Sequence, residues 1–343
     1  MERRAPPESY PQKPPAPMTT YRSTPIWLVT CLALLGTVAC GDPSGPQTSS
    51  SSNWLRCATD AQCDNVGLAA TCAPDGYCSS SDTGKRLEQT LVFQDEFDKG
   101  QLDSENFRYE TGYSVRNGDA ETYTSRAQNV SFVDGELVLT ARAEQFGSAS
   151  FTSGSVETAG LKAWKYGRIE VTLLAPDGTG TAPAIWLLPT NPGKDFIVCE
   201  SATDCTTGSW PAWGDIVLMT VRSEKPNDVL HTASYAKEDA TLGTLTRGQG
   251  GGTTHLGASV AAGYHDYAVD WGPQRIDWYV DRVLGGSFDT TLPEIVAPEG
   301  VAPFQQEFYL KILLAVGGLS EAPNAASYPQ ELRVRSVKVW QYE

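Results

Sequence analysis

The chain has 343 residues, 40% hydrophobic, 20% charged and 10% aromatic, with 41 Asp and Glu against 26 Lys and Arg for a formal charge of −15. This apolar content suits one or two globular domains and excludes a disordered chain or a multi-pass membrane protein. The acid excess, with no basic run to offset it, excludes nucleic acid as a partner. Three scattered histidines (His231, His255, His265) and no HExxH leave little for His-based metal or triad chemistry. Composition therefore favours acid/base work by carboxylates, and no cofactor is expected.

Near the N-terminus, residues 26–39 (IWLVTCLALLGTVA) form an apolar run of 14 residues, short of the ~20 that a spanning helix needs. It reads as the h-region of a signal peptide. The run ends in Thr37-Val38-Ala39-Cys40-Gly41, which resembles a bacterial lipoprotein cleavage box with Cys40 as the lipidated residue and Thr37 where Leu is usual. Residues 1–39 are thus expected to be a lipoprotein-type signal peptide, with Met1 or Met18 as the start. The mature chain would then sit in the cell envelope, held to the membrane by its lipid, at the outer membrane or cell surface; ordinary secretion is the alternative. Removing residues 1–39 takes the charge to −17.

Residues 40–56 are rich in Ser, Pro and Gly and read as a flexible tether. Cys57, Cys63, Cys72 and Cys78 follow within 22 residues. In an oxidising compartment such a unit, residues 57–78, holds itself together with two disulfides in place of a core. Three pairings are open. Zinc is disfavoured because the x5 spacings lack the usual ligand pattern. Residues 79–90 form a linker, and far downstream Cys199 and Cys205 are expected to close a loop on each other.

From residue 91 to 342 the pattern is one of short strands, such as GELVLTARA, YGRIEVTLLA, DIVLMTVRS, RIDWYVD and EFYLKILLAV, separated by Gly, Pro, Asp and Asn. No stretch keeps a 3.6-residue period for three turns. The prediction is an all-β sandwich in one domain. Landmarks stand in order along it: Asp95-Glu96-Phe97, Glu121-Thr122-Tyr123-Thr124, Tyr166-Gly167-Arg168-Ile169-Glu170, Pro183-Ala184-Ile185-Trp186, Trp210-Pro211-Ala212-Trp213-Gly214, Trp278-Tyr279-Val280-Asp281 and Ala315-Val316-Gly317-Gly318. Together they resemble glycoside hydrolase family 16, the laminarinase and β-glucanase family. The resemblance implies a β-jelly roll of the concanavalin A-like kind, with a sugar groove along its concave sheet.

Members of that family carry E-x-D-x-x-E on the strand after Trp-Pro-Ala-x-Gly. The first Glu is the nucleophile, the Asp its hydrogen-bonding helper and the last Glu the acid/base. Alternate residues of a strand share a face, and a bulge brings the last Glu to the side of the first two. Here the positions hold Asp215, Val217 and Thr220. Asp215 is one methylene short, Val217 cannot hydrogen-bond, and Thr220 cannot protonate a leaving alkoxide near neutral pH. This strand cannot run the double displacement of a retaining glycosidase.

Other positions drift the same way. Leu313, Leu319 and Ser320 stand where amides and an indole are common, and Ala182 where a Trp is common. Arg335 occupies the place of an Asp that in many members helps to bind a structural calcium, so no metal is predicted. Arg282 replaces the Gly of an Asp-Gly hairpin, which suggests another turn type or local strain.

What remains can still grip a glycan. Trp186, Trp210 and Trp213 lie at or beside groove positions, and Glu121, Tyr123 and His231 near positions used for hydroxyl contacts, His231 being equally readable as a satisfied core histidine, whereas Trp271 and Trp278 are expected in the core. The leading expectation is a lipid-anchored protein that binds β-glucan-type polysaccharide with catalysis lost or strongly reduced. One alternative is an active glycosidase or transglycosylase with a relocated acid, for which Glu200, Asp204, Glu224 and Glu321 are candidates. Another is a structural lipoprotein that binds no sugar.

Overall fold

The computed structural model describes residues 57, 60, 63, 70–74, 78–81, 87, 89–113, 118–190, 210–239, 244–297 and 300–342. The predicted signal peptide and tether with Cys40, and the segment with Cys199, Glu200, Asp204 and Cys205, lie outside the described residues.

Strands β1 (Ala70–Cys72) and β2 (Cys78–Ser80) form a small antiparallel pair. Of the three pairings open to the four cysteines, the structure has Cys57–Cys72 and Cys63–Cys78. The half-cystines pack with Ala70 and Leu87 into a miniature core that rests on Tyr342.

The sandwich strands are β3 (Gln89–Asp95), β4 (Arg108–Tyr109), β5 (Gly112–Tyr113), β6 (Glu121–Tyr123), β7 (Val130–Val133), β8 (Glu136–Phe146), β9 (Ala149–Ser153), β10 (Ser155–Glu157), β11 (Gly167–Leu174) and β12 (Thr181–Pro189). They continue as β13 (Asp215–Thr220), β14 (Asp228–Asp239), β15 (Thr244–His255), β16 (His265–Trp271), β17 (Arg275–Val280), β18 (Val283–Asp289), β19 (Phe308–Val316) and β20 (Gln330–Tyr342). One layer runs β4-β10-β19-β12-β13-β14-β15. In the other, β20 has β3 and β8 along one edge and β11, β16, β17 and β18 in succession on the other. The layers join where β15 pairs with β18 at Gly251 and Gly252. This is the predicted β-jelly-roll sandwich.

Period-2 alternation decides what meets between the layers. In β19 (FYLKILLAV) the residues Phe308, Leu310, Ile312, Leu314 and Val316 enter the core, where they meet Ile169, Val171 and Leu173 of β11. Trp271 and Trp278 lie there too, and Trp271 donates its Nε1–H to the Phe304 carbonyl at 3.1 Å. Each such side chain contributes ~1.5–3 kcal/mol by leaving water. The opposite face of β12 and β19 carries Ala182, Ala184, Trp186, Leu313 and Ala315, which cluster away from the core; this is the face on which the family resemblance puts the sugar groove, and these residues are its floor in that reading.

The hairpin after β17 keeps the turn that Asp-Gly would give. Val280 pairs with Val283, and both Asp281 and Arg282 are left-handed, at φ 50° and 67°. A type I′ turn requires that backbone at both positions, so Arg282 adopts a conformation that costs about 1–2 kcal/mol for a residue with a Cβ.

Candidate functional site: a glycosidase-like groove

The groove floor is set by how β13 begins. Gly214 has φ +81°, a conformation suited to glycine, and a Cβ there would come within 3.1 Å of Pro303 and 3.3 Å of Phe304. The turn delivers Asp215 to the groove side, where it pairs across the sheet with Ser234. Asp215 is only 6% exposed. Its Oδ2 accepts from Trp210 Nε1 at 2.5 Å and its Oδ1 from the Ser234 N–H at 3.3 Å. Burial pushes its pKa above the usual carboxylate value, and the Trp210 bond, Arg247 and Ser234 offset that only in part.

Further along β13 the register slips. Trp186 faces Val217 and Ile185 faces Met219, while on the other edge Thr232 faces Val217 and Leu230 faces Thr220. One extra residue on β13 makes this a bulge. Leu218 and Met219 both point into the core, and Thr220 returns to the side of Asp215 and Val217. The backbone thus presents three positions toward the groove with the parity that an acid/base, helper and nucleophile need. The side chains present are Asp, Val and Thr.

His231 belongs to the bulge and not to the groove. It is 3% exposed on the core side, stacked beside Trp278 with ring centroids 6.2 Å apart. Its Nδ1 donates to the Leu218 carbonyl at 2.7 Å, which leaves Nε2 to accept from Thr254 Oγ1 at 2.8 Å. Burial lowers its pKa to about 4, against the raising effect of the Leu218 bond, so the ring is neutral at pH 7. A Cβ at Gly285 would lie 1.8 Å from Thr254 Oγ1 and 2.8 Å from His231 Nε2, so glycine makes room for this pair. Of the two readings open for His231, hydroxyl ligand or satisfied core histidine, the structure has the second: both nitrogens are occupied inside the sandwich.

The tryptophans differ among themselves. Trp186 is half-buried on the floor beside Val217. Trp210 stands over Asp215, with the Arg247 guanidinium 4.6 Å from its ring centroid. Trp213 is 7% exposed and packs with Ala212, Ala236, Leu245 and Val296. Its ring is thus a packing element and offers no open face for stacking.

Glu121 and Tyr123 lie at the far end of the floor. Tyr123 packs on Ala182, Ala184, Leu313 and Ala315, covering the end where short residues replace the expected Trp and Asn. Glu121 is fully buried, and its Oε2 accepts the Val316 N–H at 3.0 Å. Burial first, then Asp119, raise its pKa to about 8. The Ala120 N–H donates to the Val316 carbonyl, so this segment lies along β19, with β12 between β19 and β13. Three strand spacings, roughly 14 Å sideways, separate it from Asp215, and the register adds the run from Thr181, opposite Val316, to Leu187, opposite Ile216, along the strands. That is too far for the ~5–5.5 Å of a retaining pair.

The relocated-acid candidates within the described residues, Glu224 and Glu321, are engaged with each other's loops. Glu224 accepts from Ser320 Oγ at 2.9 Å and from the Glu321 N–H at 3.3 Å, while Glu321 accepts from Ser223 Oγ at 3.1 Å. Among the described residues, the floor positions around Asp215 on β12, β13 and β14 hold Ala184, Trp186, Val217, Thr220, Leu230, Thr232 and Ser234, none of them an acid.

Two groove features escaped the sequence reading. Lys311, fully buried and cross-strand from Trp186, is ion-paired to Glu110 and lies 4.0 Å from Glu157, which is held in turn by Arg108 at 2.7 Å. The period-2 pattern of FYLKILLAV already placed Lys311 on the face opposite the core. Arg247, over Trp210, gave no signal, because its partners are far away in sequence.

A two-layered sandwich and a bulged strand after a Trp-Pro turn together point to a glycosidase-type jelly roll. The sequence profile of glycosyl hydrolases family 16 matches residues 117–298. The chain is 33% identical over 262 residues to a beta-glucanase of Rhodothermus marinus, covering 74% of this chain and 85% of that one. It is 33% identical over 277 residues to glucan endo-1,3-beta-glucosidase A1 of Niallia circulans, covering 73% of this chain but only 37% of that longer relative. A beta-1,3-glucan-binding protein of Penaeus monodon is 30% identical over 202 residues, covering 49% of this chain and 47% of that one. The solved laminarinase of Rhodothermus marinus superposes with a TM-score of 0.63 at 29% identity, over 75% of this chain and 99% of that one. The chain belongs to glycosyl hydrolase family 16.

Proposed function

We propose that the protein binds β-glucan-type polysaccharide in this groove, with hydrolysis lost or strongly reduced, and that it does so as a lipoprotein of the cell envelope. One observation carries the reading: the bulged strand presents its three groove positions in catalytic order, yet supplies a single short carboxylate already bonded to Trp210 and Ser234. Loss of the acid/base alone removes ~10²–10⁴ in rate. Trp186, half-buried on this face beside Val217, is the indole that this reading assigns to a pyranose ring. Relatives that include both a β-glucanase and a β-1,3-glucan-binding protein support a glycan ligand. The envelope assignment rests on the apolar run that ends at Cys40.

Calorimetry with laminarin-type oligosaccharides, run beside a reducing-sugar assay, tests the groove. Binding without product release is expected, weakened about fivefold or more by Trp186→Ala, in line with aromatic stacking worth ~1 kcal/mol or more. Product release that disappears in Asp215→Ala would overturn it. Absence of binding across a broad polysaccharide panel would favour the structural lipoprotein. Metabolic labelling with a palmitate analogue, lost in Cys40→Ala, tests the anchor.

A further inference from the structure

The family resemblance implies a structural calcium beside residue 335, and the residues found there do not fit one. Glu136, at the start of β8, faces β20. Its Oε1 accepts from Arg335 Nε at 2.8 Å; the Tyr264 hydroxyl, 2.7 Å from both carboxylate oxygens, can donate to Oε2, which also lies 3.7 Å from Arg333 Nη1. The Arg335 guanidinium carbon lies over the Tyr264 ring, 3.3 Å from its centroid. Calcium needs about six to eight oxygen ligands at ~2.3–2.6 Å. Here both oxygens of the carboxylate are occupied by donors, and the arginine brings a permanent positive charge. The open depression beside them, about 460 Å³ and rimmed by Glu96, Asp98 and Asp134, keeps acids but shares its wall with that charge. Glu96 itself lies 3.9 Å from Lys338.

We infer that Arg335 is a built-in replacement for the metal: its guanidinium, clamped between Glu136 and the Tyr264 ring, ties β20 to β8 and to the turn before β16, and makes the fold independent of calcium. A planar guanidinium suits the task, since it can hydrogen-bond a carboxylate in its plane while stacking on an aromatic face. This inference does not depend on what the groove binds.

The test is the thermal midpoint of the full chain in millimolar CaCl₂ and in EDTA. The wild-type midpoint should differ by less than about 1 °C between the two. Arg335→Asp should create a calcium response of roughly 5–10 °C at about hundredfold saturation. Arg335→Met should lower the midpoint equally in both conditions. A wild-type midpoint that rises by several degrees in calcium overturns the inference, even if neither variant folds. A folded Arg335→Asp protein that ignores calcium overturns it as well.

Discussion

Glu121→Gln isolates the energetic cost of a buried acid. Glu121 has its pKa raised from 4.5 to about 8, chiefly by burial and secondarily by Asp119. The folded protein therefore holds a proton that the unfolded chain gives up above pH 4.5. Stability from this group is fully present below pH 4.5 and is lost as pH rises toward 8. At about 1.36 kcal/mol per pH unit, the 2.5 units between 4.5 and 7 amount to roughly 3 kcal/mol. Gln keeps an acceptor for the Val316 N–H and has no proton to lose. The variant should gain roughly 3 kcal/mol over wild type at pH 7 and little at pH 4.5, which for a domain of this size is about 6–12 °C in melting temperature at neutral pH. Urea unfolding of both proteins at several values from pH 4.5 to 8 reads the difference directly. Parallel stability curves across that window would refute the argument, because they would mean that Glu121 is ionised in the folded state.

His231 should act in the opposite sense. Its folded pKa of about 4 lies below the ordinary 6.5, so its contribution is intact above pH 6.5 and falls by about 3 kcal/mol as pH drops to 4. His231→Leu should remove that acid dependence and cost about 1–3 kcal/mol at pH 7, because the buried Leu218 carbonyl loses its donor; urea titrations at pH 7 and 4.5 separate the two effects. Arg282→Gly relieves a left-handed residue at the hairpin tip and should stabilise by about 1 kcal/mol, measured as a shift in urea midpoint at unchanged slope. Restoring the strand with Asp215→Glu, Val217→Asp and Thr220→Glu together should raise reducing-sugar release from laminarin by ~10²-fold or more over wild type. No gain in a folded triple variant would show that the groove, and not only these side chains, has departed from catalytic geometry.

The sandwich was legible in the sequence because the period-2 alternation of strands such as β11 is a local property. Ile169, Val171 and Leu173 alternate with polar residues within one strand, and nothing distant is needed to see it. Depth is not local. Trp186 and Trp213 look alike in sequence, yet one lies half-open on the floor while the other is enclosed by Ala236 and Val296 from distant segments. Lys311 was readable as a groove-face residue, but its partners Glu110 and Glu157 meet it only after β10 pairs with β19. The disulfide pairing and the turn at Asp281-Arg282 also needed coordinates, since several solutions satisfy the same spacing.

The bulge separates the contacts that hold the shape of β13 from the side chains that this strand presents on its other face. Its two inward residues, Leu218 and Met219, are core residues, and its freed Leu218 carbonyl is held by His231 from inside the sandwich. None of those contacts involves the side chains of Asp215, Val217 or Thr220. Removing Leu218 or Met219 would cost the core several kcal/mol, whereas exchanging a groove-side Glu for Thr costs it little. Folding therefore holds the backbone frame of the site in place while leaving its acids free to change. Family landmarks then record the frame, and only the identities at 215, 217 and 220 report on the reaction.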